Sequence, residues 1–361
     1  MRKECKFVKK EEVLKIPYYL KEKGYNVIAP VLKEGVIFYD FISSPKEIVR
    51  NVKERQGRGF YRIIGESNLV FGDFTHGFSS PKEFLHPPTE VLLKLERDLK
   101  QKFETFNGKI AFFGIRSCDL KSIEILDNVF IKKNPYPDPF YSARRRDNFT
   151  VVINCVNPSE NCFCSTVGID PFSDKGDISL TELDHGFIVR ASTEIGKEIL
   201  KKLQGREPKE EEINTEEELK RKAREKTRKF NLKGIHEELL GKIGSDKWKE
   251  IEKRCLGCGN CAMVCPTCFC YDVYDEVNFE GSKSERVRFW DVCFNESFSV
   301  IHGHPVRKSL FSRYRQWLMH KFSYWVYQFG DYGCVGCGRC ITWCPVGINI
   351  LEEVINIVAG D

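Results

Sequence analysis

The sequence predicts an α+β/α architecture: an N-terminal α/β domain with a mixed sheet, followed by a mainly helical, cysteine-rich domain. Three observations carry this. Short apolar runs bounded by polar breakers recur in the first half, as buried strands do. An almost wholly charged stretch then interrupts the chain. Beyond it cysteine accumulates: of 16 cysteines, five lie in residues 1–250 and eleven in 251–361. A chain of 361 residues is long enough for two domains with a substantial core.

VIAPVL (27–32) and VIFYDFI (36–42) flank KEG as a strand hairpin. KIAFFGI (109–115) and TVVINC (150–155) read as buried strands of an α/β sheet. PTEVLLKLERDLKQKFETF (88–106) carries apolar residues at helical spacing behind a proline, which predicts a helix. EPKEEEINTEEELKRKAREKTRKFNLKG, the charged stretch, reads as a solvated helical connector. The expected boundaries are 1–193 for the α/β domain, 194–250 for the connector and 251–361 for the helical domain. Within the last, RKSLFSRYRQWLMHKFSYWVYQ (307–328) has helical periodicity.

Composition excludes several classes. Lys and Arg total 57 against 52 Asp and Glu, and the resulting +5 is spread along the chain; this argues against a nucleic-acid partner. The start, MRKECKFVKKEEVLK, has no apolar signal core, and no run of apolar residues could span a bilayer. So many cysteines in a chain too large to need disulfides indicate metal-bound thiolates in a reducing, cytoplasmic setting. There is no G-x-G-x-x-G after a strand and no G-x-x-x-x-G-K-[ST], so neither a dinucleotide nor a triphosphate site is visible.

One cysteine motif occurs twice. CLGCGNCAMVCP supplies Cys255, Cys258, Cys261 and Cys265; CVGCGRCITWCP supplies Cys334, Cys337, Cys340 and Cys344. Both follow C-x2-C-x2-C-x3-C-P, which wraps a loop around a cubane [4Fe–4S] cluster. Three thiolates two residues apart reach three irons of one cube, while glycines let the backbone bend and turn its N–H groups toward sulfide. The fourth cysteine, expected to start a helix, ligates the other cluster in two-cluster proteins. One cluster is therefore assigned to Cys255, Cys258, Cys261 and Cys344, the other to Cys334, Cys337, Cys340 and Cys265. In the same domain, Trp290, Trp317, Trp325 and Trp343 either shield clusters or pack as ordinary core. Arg307, Lys308, Arg313, Arg315, His320 and Lys321 either counter cluster charge or form a solvated helix face.

A third site is expected in the first domain. Cys118 follows strand 109–115, Cys155 ends strand 150–155, and Cys162 and Cys164 come shortly after. Ligands collect at the carboxyl ends of parallel strands, so these four thiols can converge. Their spacing leaves open a third [4Fe–4S] cluster, a structural zinc and unligated buried thiols.

GIRSCDLKSI (114–123), CVNPSENCFCSTVGIDP (155–171), CPTCFCYDV (265–273), HKF (320–322) and CVGCGRCITWCPVGI (334–348), with FSSPKEFLHPPTEVLL (78–93), run in an order that resembles a known family. It comprises beta subunits of sulfhydrogenases (cytosolic NiFe hydrogenases) and the A-type subunits of anaerobic sulfite reductase. The resemblance implies an iron–sulfur electron-transfer subunit of an oxidoreductase of anaerobic metabolism, with no catalytic residue of its own. It implies two flanking partners: a flavoprotein that binds NAD(P), and NiFe hydrogenase subunits or, alternatively, a sirohaem sulfite reductase subunit. It also favours a cluster at Cys118, Cys155, Cys162 and Cys164. Cys268, Cys270 and Cys293 stay unassigned: alternative ligands, a fourth metal site, sulfur- or disulfide-reducing thiols, or structural cysteines. Cys5 is read as incidental.

Overall fold

The computed structural model describes residues 4–96 and 101–359. Its strands in chain order are β1 (Glu4–Val8), β2 (Tyr25–Lys33), β3 (Val36–Phe41), β4 (Val52–Gly57), β5 (Phe60–Glu66), β6 (Thr89–Glu96), β7 (Gln101–Lys102), β8 (Lys109–Ile115), β9 (Phe149–Ile153), β10 (Ile178–Leu183), β11 (Gly186–Ala191), β12 (Gly205–Arg206), β13 (Tyr271–Val277), β14 (Lys283–Trp290), β15 (Val300–Ile301) and β16 (His304–Pro305). Eight of them form a sheet of order β12-β1-β11-β10-β9-β8-β2-β3. Its centre is parallel, β2 with β8, β8 with β9 and β9 with β10, and its flanks are antiparallel. This is the mixed sheet the apolar runs predict, and the hairpin of β2 and β3 is closed around Glu34 and Gly35. Val27, Ala29, Phe113, Val151 and Leu180 fill one face of the sheet, and Ile28, Phe112 and Val152 the other.

Two expectations need correction. Residues 89–96 are strand, not helix; of the predicted stretch 88–106, positions 97–100 lie outside the described residues. The cause is tertiary. Thr89–Glu96 pairs antiparallel with β14, from Thr89 opposite Phe289 to Glu96 opposite Lys283. Four leucines and valines in a row of eight fit a half-buried strand as well as a helix face. The second region is correspondingly not mainly helical: β13 and β14 make a long hairpin that joins β6 and β7 in a four-stranded sheet. That sheet ties residues 89–96 to the hairpin of 271–290 by backbone hydrogen bonds.

The charged stretch forms the helix Glu210–Thr227, which is docked rather than solvated all round. Its Glu216 is buried and binds Arg190 of β11 at 2.5 Å and the Thr181 hydroxyl of β10 at 2.5 Å. Near its end, the Thr227 hydroxyl meets that of Ser165 at 2.7 Å. Residues 310–329 are helical throughout, with a π-type turn over His320–Tyr324 that widens the coil where Lys321 turns inward. The β4–β5 hairpin reaches across to the second cysteine motif: Gly59 N–H donates to the Ile341 carbonyl at 3.1 Å, and Tyr61 stacks on Trp343 at 5.2 Å. Among the described residues no helix is long and apolar enough to cross a membrane.

Candidate metal centres

The two motifs fold alike. Gly257 N–H donates to Cys255 Sγ and Gly336 N–H to Cys334 Sγ, both at 3.4 Å. Gly259 and Gly338 then take left-handed backbone, φ +72° and +79°, and cap the short helices Asn260–Met263 and Arg339–Thr342. The third cysteine of each motif, Cys261 or Cys340, rides in that turn. The fourth follows its C-terminal end instead of starting a helix, because Pro266 and Pro345 stand directly after it.

The fourth cysteines cross over. Cys344 stands with Cys255, Cys258 and Cys261: burial raises the Cys261 thiol well above its usual range, and Cys255, the nearby Cys293, Cys344 and Cys258 add to the rise. A cavity of about 30 Å³ opens between these four and Cys340, walled by Tyr314 and Trp317. Cys265 stands instead with Cys334, Cys337 and Cys340, each of which is raised first by burial and further by Cys265. Cys334 is pushed up to about 12.

In the first domain, β8 and β9 are adjacent and parallel, so their carboxyl ends lie side by side. Cys118, in the helix Ser117–Asp127 just after β8, comes within electrostatic reach of Cys155 just after β9. Cys162 and Cys164 both feel Cys155, and burial pushes Cys164 up to about 12. The four thiols share one neighbourhood. That neighbourhood touches the second motif: Cys118 and Cys162 both lie within reach of Cys337, and Phe163 N–H donates to the Gly336 carbonyl at 2.7 Å. Cys340 likewise reaches Cys261. The three sets thus succeed one another: Cys255/258/261/344, then Cys334/337/340/265, then Cys118/155/162/164. Among the described residues no three His, Cys, Asp or Glu side chains draw together tightly enough for one metal ion; a cubane takes one cysteine at each of four corners.

The surroundings fit anionic clusters. Tyr314 Oη and Trp317 Nε1 are buried, lack a hydrogen-bond partner and wall the first cavity. All three guanidinium nitrogens of Arg339 are buried without a hydrogen bond; beyond its ion pair with Asp119, the groups that favour its charge are Cys337, Cys118 and Tyr39. Lys321 Nζ is buried, bonded to Thr267 Oγ1 at 3.0 Å and the Gly333 carbonyl at 3.2 Å, and faces Cys265, Cys268 and Cys334. Arg116 spends its guanidinium on the carbonyls of Phe71, Phe74, Thr75 and Ile153, and its charge lies beside Cys155. An unmet buried donor costs about 1–3 kcal/mol and an unpaired buried charge more. Cluster sulfides and thiolates would meet both needs.

Sequence reading did not single out Arg116 or Arg339, since nothing in their local sequence marks them as buried. Of the basic residues it did single out, Lys321 faces the thiols, His320 lines a cavity with Cys268, Cys270 and Cys293, and Arg307 lies within electrostatic reach of Cys293. Arg313 pairs with Glu296 at 2.6 Å, Arg315 bonds the Ile243 carbonyl at 2.7 Å, and Arg307 bonds Ser299 at 2.8 Å. Cys5 lies apart from every set, on β1 near Arg190. Cys268, Cys270 and Cys293 form a group of their own beside Cys265.

Gly336 fixes how closely the second and third sets approach. Its φ is +62°, and a Cβ there would lie 2.6 Å from the backbone N and Cα of Cys164. Gly336→Ala is therefore expected to destabilise the protein by at least about 1–3 kcal/mol. Chemical denaturation reads this; an unchanged midpoint would show that the two loops do not pack as closely as described.

Comparison with known proteins gives two matches. Residues 254–348 match the family described as a 4Fe-4S dicluster domain. The chain is also 34% identical over 326 residues to the protein named sulfhydrogenase 2 subunit beta of Pyrococcus furiosus, across 88% of this chain and 96% of that one.

Proposed function

The chain belongs to the sulfhydrogenase beta-subunit family, and from that premise we propose that it relays electrons between a flavin- and NAD(P)-binding subunit and NiFe hydrogenase subunits in the cytoplasm. That it is an iron–sulfur electron-transfer subunit follows from the family and the dicluster domain. The observation that supports the relay reading is the succession of three four-cysteine sets, adjoining through Cys261 and Cys340 and then through Cys337 and Cys118.

Bound [4Fe–4S] clusters supply single-electron transfer. In this reading Cys255, Cys258, Cys261 and Cys344 hold one, Cys334, Cys337, Cys340 and Cys265 the second, and Cys118, Cys155, Cys162 and Cys164 a third. The protein surrounds them with apolar walls that keep water out and with fixed positive charge from Arg339, Lys321 and Arg116, which favours the more negative, reduced state. Cys258 is the exposed member of the sets, and its neighbour Leu256 is 65% exposed. This makes the first set the port that a partner protein covers.

Reduction of the anaerobically purified chain is expected to give cubane-type EPR signals and no hydrogen turnover by the chain alone. A reduced chain without such signals would end the relay reading. The paired substitution Cys155→Ser and Cys162→Ser should remove about four irons per chain while the other signals persist; unchanged iron would leave the third set as plain thiols.

A further inference from the structure

The geometry points to a fourth iron–sulfur centre, held by Cys268, Cys270 and Cys293 with His320 as the fourth donor. It goes beyond the three-set relay and is built by a separate element, the β13–β14 hairpin. Tyr271, the first residue of β13, pairs with Trp290, the last of β14. The residues just outside the hairpin are therefore brought side by side, and Asp291 N–H closes the gap by donating to the Cys270 carbonyl at 3.1 Å. Cys270 and Cys293 come within electrostatic reach of each other. Cys268 joins them from the turn that leaves Cys265, whose carbonyl accepts the Cys268 N–H at 3.4 Å.

These three thiols line one cavity of about 20 Å³ together with Asp291, His320 and Lys321. Asp291 is already engaged: its Oδ1 accepts from Val292 N–H at 2.7 Å and from Asn295 Nδ2 at 3.1 Å. The His320 ring is held by aromatic neighbours, edge-on to Phe269 and tilted against Trp325, 6.0 and 5.1 Å between centroids. It stands in the widened turn at the start of His320–Tyr324.

Two basic side chains border the same pocket. Lys82 and Lys321 are 2% and 5% exposed, and neither forms an ion pair with a carboxylate among the described residues. Lys82 Nζ donates to the Met263 carbonyl at 3.0 Å and lies 3.7 Å from the Trp290 ring centroid, with Cys268 as its foremost negative neighbour. Both side chains lie beside Cys265 and Cys268, and Asp291 lines the same cavity as Lys321, so a cluster bound there would sit in a basic surrounding. Imidazole in place of one thiolate raises a cluster's potential. The site adjoins Cys261 through Cys293 and Cys265 through Cys268, so it branches from the line of three sets.

The test is iron, zinc and sulfide content of the full chain, purified anaerobically, with EPR-monitored redox titration. Replacing Cys268, Cys270 and Cys293 together by serine should remove about four irons per chain and one EPR component, with the signals of the other sets retained. Unchanged iron, or zinc in place of the lost iron, overturns the proposal; thiols that reduce sulfur without binding metal would give the first of these. His320→Cys supplies a variant with less risk to folding: it should keep the iron and lower the potential of one component only, and a titration curve unchanged throughout overturns the proposal. Loss of the ferredoxin-type signals in the wild-type chain would count against the relay instead, which keeps the two readings separable.

Discussion

Cys344→Ser is expected to damage the cluster whose other ligands lie some 80 residues earlier, and to leave the one bound by its own motif. In the structure Cys344 stands with Cys255, Cys258 and Cys261, and Ile348 N–H donates to its Sγ at 3.3 Å. Cys265 stands with Cys334, Cys337 and Cys340. Loss of a cysteine ligand frees one iron or the whole cluster, a deficit of up to about four irons. The EPR change caused by Cys344→Ser should therefore match that of Cys258→Ser, and the change caused by Cys265→Ser should match that of Cys337→Ser. If Cys344→Ser instead reproduces Cys337→Ser, each motif ligates its own cluster and the crossed assignment is wrong. The crossing also has a consequence for stability: each cluster then links segments far apart in sequence, so metal removal should loosen the packing between the two motifs.

The motif was legible because its chemistry is local: C-x2-C-x2-C needs only glycines and a tight loop, and all of that is written in eleven consecutive residues. The strands at 109–115 and 150–155 were legible too, since a buried parallel strand is apolar throughout. The convergence of Cys118 with Cys155 followed from their places at adjacent strand ends. What escaped was set by partners distant in sequence. Residues 89–96 become a strand because Lys283–Trp290 offers them an edge, and nothing within the segment says so. The charged helix docks because Glu216 finds Arg190, although the stretch reads as polar all round. Arg339 is not singled out by the sequence, and Lys321 reads there either as countering cluster charge or as part of a solvated helix face; their burial follows from a Gly-capped turn and a π-type turn that point them inward.

Arg339→Leu is expected to cost about 3–5 kcal/mol, the range for removing one partner of a buried ion pair. Arg339 and Asp119 are both 0% exposed, and their charged groups lie 2.8 Å apart. Asp119 keeps two further donors, the Tyr39 hydroxyl at 3.1 Å and the Arg116 backbone N–H at 3.2 Å, but neither carries charge. Asp119→Asn should destabilise as well, because it leaves the guanidinium unpaired. Stability alone therefore does not distinguish a packing role from an electrostatic one, whereas reduction potentials do. Burial works against the charge of Arg339, while Asp119, Cys337 and Cys118 hold it protonated well above its ordinary range, so it stays positive beside both thiol sets. Removing that charge should lower the potential of the neighbouring clusters, and removing the charge of Asp119 should raise it. Structural damage gives no such opposition of sign: a loosened fold admits water and shifts both variants the same way. Redox titration of the two variants against the wild-type chain thus decides the matter, and potentials that move together, or do not move, would reduce Arg339 to a buried structural pair.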